Sequence, residues 1–246
     1  MTPSLAVLAA VLAVAFLSMV LFGSVHRGRR DADAARKGST FLLGAGDFLV
    51  HWFMWAIGPA ERALAALGTT PDHMNAGGLL FGLLSGVAIG LGRLELGGWA
   101  IALAGVCDIL DGRLARAQGV ASAYGKFIDS TLDRFVETFA FLGFAVYFAG
   151  RPWGPLVVAA GLGGSLLVSY AQARGETVNV SGSGGLMQRA ERLVLTLLGC
   201  LLDPALSRAL GRPEGTVLFW VLVVVAAGAL GTAVHRTVFI AGRLRG

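Results

Sequence analysis

The feature that most constrains this chain is a series of apolar stretches, most of them long enough to cross a lipid bilayer. Of the 246 residues, 55% are hydrophobic and only 14% are charged, whereas charged residues make up about a quarter of a typical soluble domain. An uncharged apolar run at residues 5–23 is followed by six more apolar blocks with short polar breaks. These blocks are residues 75–91, 96–115, 127–149, 154–171, 193–202 and 216–234. The pattern predicts an all-α integral membrane protein whose spans pack as one helical bundle.

The segment between the first apolar run and the bundle has a different character. Basic residues are frequent between residues 26 and 37, and residues 41–67 then mix aromatic side chains with Asp47, His51, Glu61 and Arg62. Such a mixture is typical of a helix that lies on the membrane surface, although a cytoplasmic helix packed on the bundle is an alternative. We therefore divide the chain into an N-terminal transmembrane helix with a basic cytoplasmic linker (1–40), an interfacial amphipathic helix (41–70) and a six-helix transmembrane core (71–246).

The distribution of basic residues predicts the orientation. The net charge is +5, and most Lys and Arg fall in alternate segments, which the positive-inside rule assigns to the cytoplasm. These segments are residues 24–75, 108–133, 170–192 and 235–246, whereas residues 93–95, 150–152 and 203–215 form the loops on the opposite side. We expect a multi-pass protein of the cell membrane. The sequence shows no soluble module with a basic face, so binding to nucleic acid is not expected.

Four carboxylates interrupt two neighbouring apolar blocks. Asp108 and Asp111 are three residues apart and Asp129 and Asp133 four apart, so each pair shares one face of its helix. Counted from the cytoplasmic ends, the pairs reach similar depths, roughly 8 and 12 Å in one helix and roughly 8 and 14 Å in the other. Ionised groups at such depths persist by pairing, hydration or coordination. An acidic cluster that only holds helices together is disfavoured, because few basic residues share its depth.

Oxygen-only ligands predict a hard divalent cation, Mg²⁺, Mn²⁺ or Ca²⁺, rather than zinc. The neighbouring residues suit a phosphate substrate, since Gly112 and Gly125 leave the backbone bare, Ala115 is small, and Arg116 offers a planar donor fork. Divalent ions over a pyrophosphate act as Lewis acids, and a carboxylate facing an acceptor hydroxyl can take its proton. This cytoplasmic end of the bundle is therefore the predicted active site.

These residues resemble the signature of the CDP-alcohol phosphotransferase family without a gap or mismatch. The matching pattern is Asp108-x-x-Asp111-Gly112-x-x-Ala115-Arg116, eight residues, then Gly125-x-x-x-Asp129-x-x-x-Asp133. The resemblance covers the chain from about residue 71 onwards and implies six membrane helices preceded by an interfacial helix, with residues 5–23 as an additional span. It also implies a homodimer. Residues 71–75, Pro-Asp-His-Met-Asn, look like a degenerate form of the family's Pro-Asn entry to the first core helix.

The resemblance implies a reaction and a role for each motif residue. A CDP-linked lipid, with CDP-diacylglycerol as the expected donor, gives its phosphatidyl group to an alcohol and releases CMP, with two divalent ions, Mg²⁺ or Mn²⁺. Asp108, Asp111 and Asp129 would bind metal, and Asp133 would bind metal and act as the general base. The CDP group would be bound by Gly112, Ala115, Arg116 and Gly125.

Two further segments, residues 169–176 and 185–192, resemble the prokaryotic branch that contains phosphatidylinositol-phosphate synthases, in which a basic pocket binds the acceptor's phosphate. Arg174 matches that pocket, but Gln172 stands where a lysine is usual. Arg189 and Arg192 are further candidates for acceptor binding, or charges that end a span. Inositol phosphate is thus the favoured acceptor, with glycerol phosphate, free inositol or another alcohol as alternatives. A divalent-cation transporter is the alternative of another class, although transport does not require the glycine, alanine and arginine spacing.

Overall fold

The computed structural model describes residues 3–25, 46–180, 185 and 187–245. All regular elements in these residues are α-helices, as predicted. Helices α1 (Pro3–Val25), α3 (Pro71–Gly90), α6 (Gly154–Thr177) and α8 (Thr216–Arg245) are each long and apolar enough to cross a membrane. The chain divides into two compact units, Met1–Thr70 and Pro71–Gly246. The predicted all-α fold with several helices long and apolar enough to span a membrane is confirmed, whereas the six-span core and the interfacial helix stay predictions.

The first unit contains α1 and α2 (Asp47–Ala66). The two helices meet through aromatic side chains, since the ring of Phe22 lies 5.7 Å from that of Phe48 and 5.6 Å from that of Trp55. In addition, the indole Nε1 of Trp52 donates a hydrogen bond of 3.0 Å to Oγ of Ser18. The basic linker from residue 26 to 40 and the first residues of the predicted interfacial helix, 41–45, lie outside the described residues.

The second unit contains α3 to α8, with α4 at Leu94–Ala117, α5 at Ala123–Tyr147 and α7 at Arg189–Ala209. Glycines let α3 and α5 approach closely. A Cβ added at Gly86 would lie 2.2 Å from the backbone oxygen of Phe139, and one at Gly143 would lie 2.4 Å from that of Gly86. Small residues at helix crossings are the usual means of close packing in membranes. This contact holds the helix that carries Asp129 and Asp133 against α3.

The apolar core of this unit includes residues from each of α3 to α8. Its fully buried side chains include Ile89, Leu94, Phe144, Leu218 and Val225. The rings of Phe141 and Phe144 meet edge to face, with centroids 5.8 Å apart. The polar residues of the motif segments lie outside this cluster, in the part of the bundle that includes the N-terminal half of α5.

The predicted loop at residues 203–215 is shorter in the structure and spans residues 210–215. Residues 203–215 were expected to connect two spans, but α7 continues to Ala209 and includes Asp203, which is fully buried. Its carboxylate accepts hydrogen bonds from the backbone N–H groups of Gly215 and Leu218, at 2.6 and 2.9 Å, and from Oγ of Ser207 at 2.9 Å. Asp203 therefore caps the N-terminus of α8 from the neighbouring helix, where unsatisfied N–H groups favour a negative charge. In the sequence, Asp203 suggests that the helix ends there. The groups that satisfy its charge, at Gly215 and Leu218, lie 12 and 15 residues away and are not evident from the local sequence.

Candidate active site

Helices α4 and α5 bring three of the four predicted metal ligands together. Asp108 of α4 and Asp129 and Asp133 of α5 each offer a carboxylate oxygen, and these oxygens all lie within 4.8 Å of one another. All three residues are partly buried. The spacing within α5 places its two carboxylates on one face, one turn apart, and the packing of α4 supplies the third.

The fourth predicted ligand, Asp111, lies beside this cluster rather than in it. Its side chain is buried, and its Oδ1 accepts a hydrogen bond from the backbone N–H of Gly112. Asp111 nevertheless lines the same small cavity, of about 20 Å³, as the other three carboxylates. That cavity is also lined by Met74, Asn75 and Gly78 of α3, so the degenerate Pro-Asn segment does contribute to the site.

The cluster fits a hard divalent cation. Its donor set consists of carboxylate oxygens only, which favours Mg²⁺ or Mn²⁺ over zinc. Converging carboxylates repel one another unless positive charge lies between them, and Asp108, Asp129 and Asp133 are close enough to share an ion.

A basic residue also reaches this cluster from a third helix. Arg189, the first residue of α7, lies with Nη1 2.9 Å from Oδ2 of Asp108, and its Nη2 pairs with Oδ1 of Asp133. The other oxygen of Asp133, Oδ2, is 3.6 Å from Nη1 of Arg134. Arg189 had been predicted as an acceptor-binding residue, but in this structure it binds the carboxylates.

The four residues predicted to bind the CDP group lie around the neighbouring ends of α4 and α5. Arg116 is exposed in the last turn of α4, and its Nη1 is 3.3 Å from where a Cβ on Gly112 would lie. Ala115 is partly buried on the same helix. Gly125 lies in the first turn of α5, where its N–H donates to Oγ of the N-cap Ser122 at 3.1 Å. Their role in binding a nucleotide stays a prediction.

The remaining two predicted acceptor-binding residues differ in their surroundings. Arg174 is exposed in the last turn of α6. Arg192 is buried, and its Nε lies 2.8 Å from Oε1 of Glu137 on α5. Its Nη1 also donates to the backbone oxygen of Met187 at 3.2 Å. The three arginines thus differ in exposure, and Arg192 lies in a buried ion pair rather than on an open surface.

Two polar contacts between helices were not predicted from the sequence. Glu137 lies four residues after Asp133 and extends the acidic face of α5 by one turn, a spacing that could have identified it. Arg236 of α8 is buried and donates from Nη1 to Oε1 of Gln172 on α6, at 2.8 Å. These residues are 64 positions apart, and no local sequence pattern connects them.

Comparison with known proteins identifies the family. The family model for CDP-alcohol phosphatidyltransferases matches residues 68–228, which is more than half of the chain. The chain belongs to the CDP-alcohol phosphatidyltransferase family. The enzyme class predicted from the motif is therefore confirmed, and the family favours an enzyme over a divalent-cation transporter.

Curated relatives include enzymes from bacteria and archaea. The phosphatidylinositol phosphate synthase of Mycobacteroides abscessus is 33% identical over 186 residues, which cover 72% of this chain and 81% of the relative. The archaetidylinositol phosphate synthase of Pyrococcus horikoshii is 36% identical over 152 residues, or 59% of this chain and 78% of the relative. The predicted resemblance to the branch with phosphatidylinositol-phosphate synthases is confirmed.

Solved structures show the same fold. The crystal structure of Mycobacterium tuberculosis phosphatidylinositol phosphate synthase in complex with manganese and citrate superposes with a TM-score of 0.66 at 26% identity, covering 74% of this chain and 87% of that one. The structure of the same enzyme with CDP-DAG bound gives a TM-score of 0.64 at 27% identity, covering 74% and 92%. The manganese in that relative and the carboxylate cluster here support the predicted divalent-metal cofactor.

Proposed function

We propose that this protein transfers the phosphatidyl group of CDP-diacylglycerol to a hydroxyl of inositol phosphate, with release of CMP. The observation that carries the proposal is the convergence of Asp108, Asp129 and Asp133 in one cavity, within a complete family motif. The choice of donor and acceptor is supported by relatives that are phosphatidylinositol phosphate synthases, one of which has been crystallised with CDP-DAG.

Within this proposal, Asp108, Asp111, Asp129 and Asp133 hold two divalent ions, Mg²⁺ or Mn²⁺. Bound there, the ions supply Lewis-acid stabilisation of charge on the donor's pyrophosphate. Asp133 accepts the proton of the acceptor hydroxyl at a carboxylate oxygen, which makes that hydroxyl a better nucleophile. Gly112, Ala115, Arg116 and Gly125 bind the CDP group, and Arg116 offers a planar fork for phosphate oxygens.

The acceptor's phosphate brings negative charge to a site that already binds a pyrophosphate, so cationic side chains must offset it. We assign Arg174, Arg189 and Arg192 to this role, with Arg174 as the exposed member of the three. We add Arg236 as a candidate, because its guanidinium is held by the neutral amide of Gln172. Glycerol phosphate, free inositol or another alcohol are alternative acceptors within the same chemistry.

The placement in the membrane is part of the proposal. We place the protein in the cell membrane with α3 to α8 as the six-helix transmembrane core, α2 as an interfacial helix and the active site facing the cytoplasm. The proposed working form is a homodimer surrounded by membrane lipids, which light scattering of the protein in nanodiscs would test.

The function is tested with the full-length protein in detergent or nanodiscs, supplied with CDP-diacylglycerol and one acceptor at a time. We expect Mg²⁺- or Mn²⁺-dependent CMP release that is fastest with inositol phosphate, and a phosphatidylinositol phosphate product detected by mass spectrometry. The Asp133→Asn variant serves as the control for background hydrolysis. Faster transfer to glycerol phosphate or free inositol would refute inositol phosphate as the acceptor. If none of the acceptors tested gave CMP release, the proposed function would be refuted.

A further inference from the structure

Arg189 joins two helices at the carboxylate cluster. Its guanidinium contacts Asp108 of α4 through Nη1 and Asp133 of α5 through Nη2, while its backbone begins α7. Its side chain is 34% exposed, whereas those of Asp108 and Asp133 are 20% and 13% exposed. Arg189 is therefore a partly accessible cation bound to two less accessible anions.

The two carboxylates that pair with Arg189 also belong to the cluster that can share a divalent ion. Asp108 and Asp133, with Asp129, are the residues whose oxygens lie within 4.8 Å of one another. A carboxylate can bind a guanidinium and a metal ion at the same time only through different lone pairs. The guanidinium and the ion would then be close together, and their positive charges would repel each other. Arg189 and a divalent cation thus draw on the same ligands.

The next basic residue on the same face of α7 has another partner. Arg192, one turn further on, pairs with Glu137, which lies outside the cluster. Both arginines line the larger cavity that continues from Asp133 into the bundle, of about 40 Å³. Two arginines of the same helix therefore neutralise different acidic groups, and only Arg189 acts on proposed metal ligands.

We propose that Arg189 is a positioning residue of the metal site. Its guanidinium holds Asp108 and Asp133 together, and it releases their carboxylate oxygens when a divalent cation binds. The guanidinium stabilises the cluster without an ion and lowers its affinity for one, so that the metal is exchangeable. When the oxygens pass to the metal, the freed fork lies beside the reacting centre. The inference rests on the metal site proposed above and assigns Arg189 a role other than acceptor recognition alone.

The test measures metal binding and stability rather than turnover. Full-length wild type and Arg189→Gln, in detergent without donor or acceptor, are titrated with Mn²⁺ and followed by electron paramagnetic resonance of the free ion. We expect Arg189→Gln to bind Mn²⁺ about tenfold more tightly, since it loses one charge-assisted competitor. Its melting temperature should be lower than that of wild type in EDTA, and the difference should shrink at saturating Mn²⁺.

Two matched variants separate this role from general stabilisation. Arg189→Lys keeps the charge but loses the two-pronged contact, so its Mn²⁺ affinity should lie between those of wild type and Arg189→Gln. Arg192→Gln removes an arginine one turn away, and it should lower the melting temperature equally with and without Mn²⁺ while leaving the affinity unchanged. If Arg189→Gln does not fold, the lysine variant alone decides the question.

An unchanged or weaker Mn²⁺ affinity in the Arg189 variants would overturn the inference, as would an equal increase in Arg192→Gln. Failure of wild type to bind Mn²⁺, or binding that survives replacement of both Asp108 and Asp129 by Asn, would instead refute the metal site of the proposed function. The two failures are therefore distinguishable in the same titration.

Discussion

Oε1 of Gln172 accepts a hydrogen bond of 2.8 Å from Nη1 of Arg236, which also donates to the backbone oxygen of Val168 at 3.2 Å. The amide nitrogen of Gln172 faces Oε1 of Glu176 at 3.4 Å. A neutral side chain thus holds a buried cation, at the position where the branch's acceptor pocket usually has a lysine. This contact connects α6 to α8.

Gln172→Lys is expected to improve the use of inositol phosphate. The lysine removes the oxygen that holds Arg236 and adds a second positive charge, so both cations become available to a phosphate. The KM for inositol phosphate should fall about tenfold, the effect of one charge-assisted contact, while that for free inositol stays the same. Gln172→Met, which removes the oxygen without adding charge, is the control. An equal gain in that variant would show that the release of Arg236, and not the added lysine charge, improves acceptor binding.

Arg174→Gln tests the exposed arginine of the proposed acceptor site. Loss of a charge-assisted phosphate contact should raise the KM for the acceptor about tenfold or more, with the KM for CDP-diacylglycerol nearly unchanged. Arg243→Gln, at the end of α8, removes an arginine that stacks on Phe239 at 5.4 Å and serves as the matched control. Equal effects on donor and acceptor would mean that Arg174 serves topology or the nucleotide.

Asp133→Asn should leave the protein folded but remove transfer. An amide cannot accept the proton of the acceptor hydroxyl and is a weaker metal ligand, so CMP release should fall by about 10²-fold or more. The measurement is the initial rate of CMP release at saturating Mg²⁺, with the elution profile on size exclusion as the check on folding. Substantial turnover at ordinary Mg²⁺ would rule out Asp133 as the general base.

Asp108→Asn and Asp129→Asn should change the metal dependence of the reaction. Each replaces a charged ligand by a neutral one, which weakens binding of a hard cation, and high Mn²⁺ should restore part of the activity. The concentration of Mg²⁺ or Mn²⁺ that gives half-maximal CMP release is the quantity to compare. Unchanged metal dependence in both variants would refute the two-ion proposal.

Asp203→Asn is expected to destabilise the bundle at the start of α8. The amide group retains one oxygen, but its NH₂ then faces an N–H donor that the carboxylate satisfied, which costs about 1–3 kcal/mol. Thermal unfolding in detergent measures the loss, and Ser207→Ala, which removes only the hydroxyl that donates to Oδ1 of Asp203, should cost less. An unchanged melting temperature in Asp203→Asn would show that the cap contributes little.

The sequence by itself determined the all-helical fold and the acidic faces of α4 and α5. Apolar length specifies helices in lipid, because only helices and closed barrels satisfy the backbone there. The spacings of Asp108 with Asp111 and of Asp129 with Asp133 place each pair on one face, because the helix repeats every 3.6 residues. Both properties are local, so a motif of eight positions was sufficient to predict the family and the two acidic helix faces. The approach of Asp108 to Asp129 and Asp133, with Asp111 beside them, depends on how α4 packs against α5.

Only the tertiary structure decided which partner each buried charge has. Arg189 and Arg192 are one turn apart on α7, yet the first binds Asp108 and Asp133 and the second binds Glu137. These pairings depend on where α4 and α5 pack against α7, and no periodicity in the chain encodes that packing. The same holds for Gln172 with Arg236, and for Asp203, which satisfies N–H groups of another helix. A buried charge pairs with an opposite charge or a hydrogen-bonding group that lies close to it in space. The packing of helices that are distant in sequence determines which group that is.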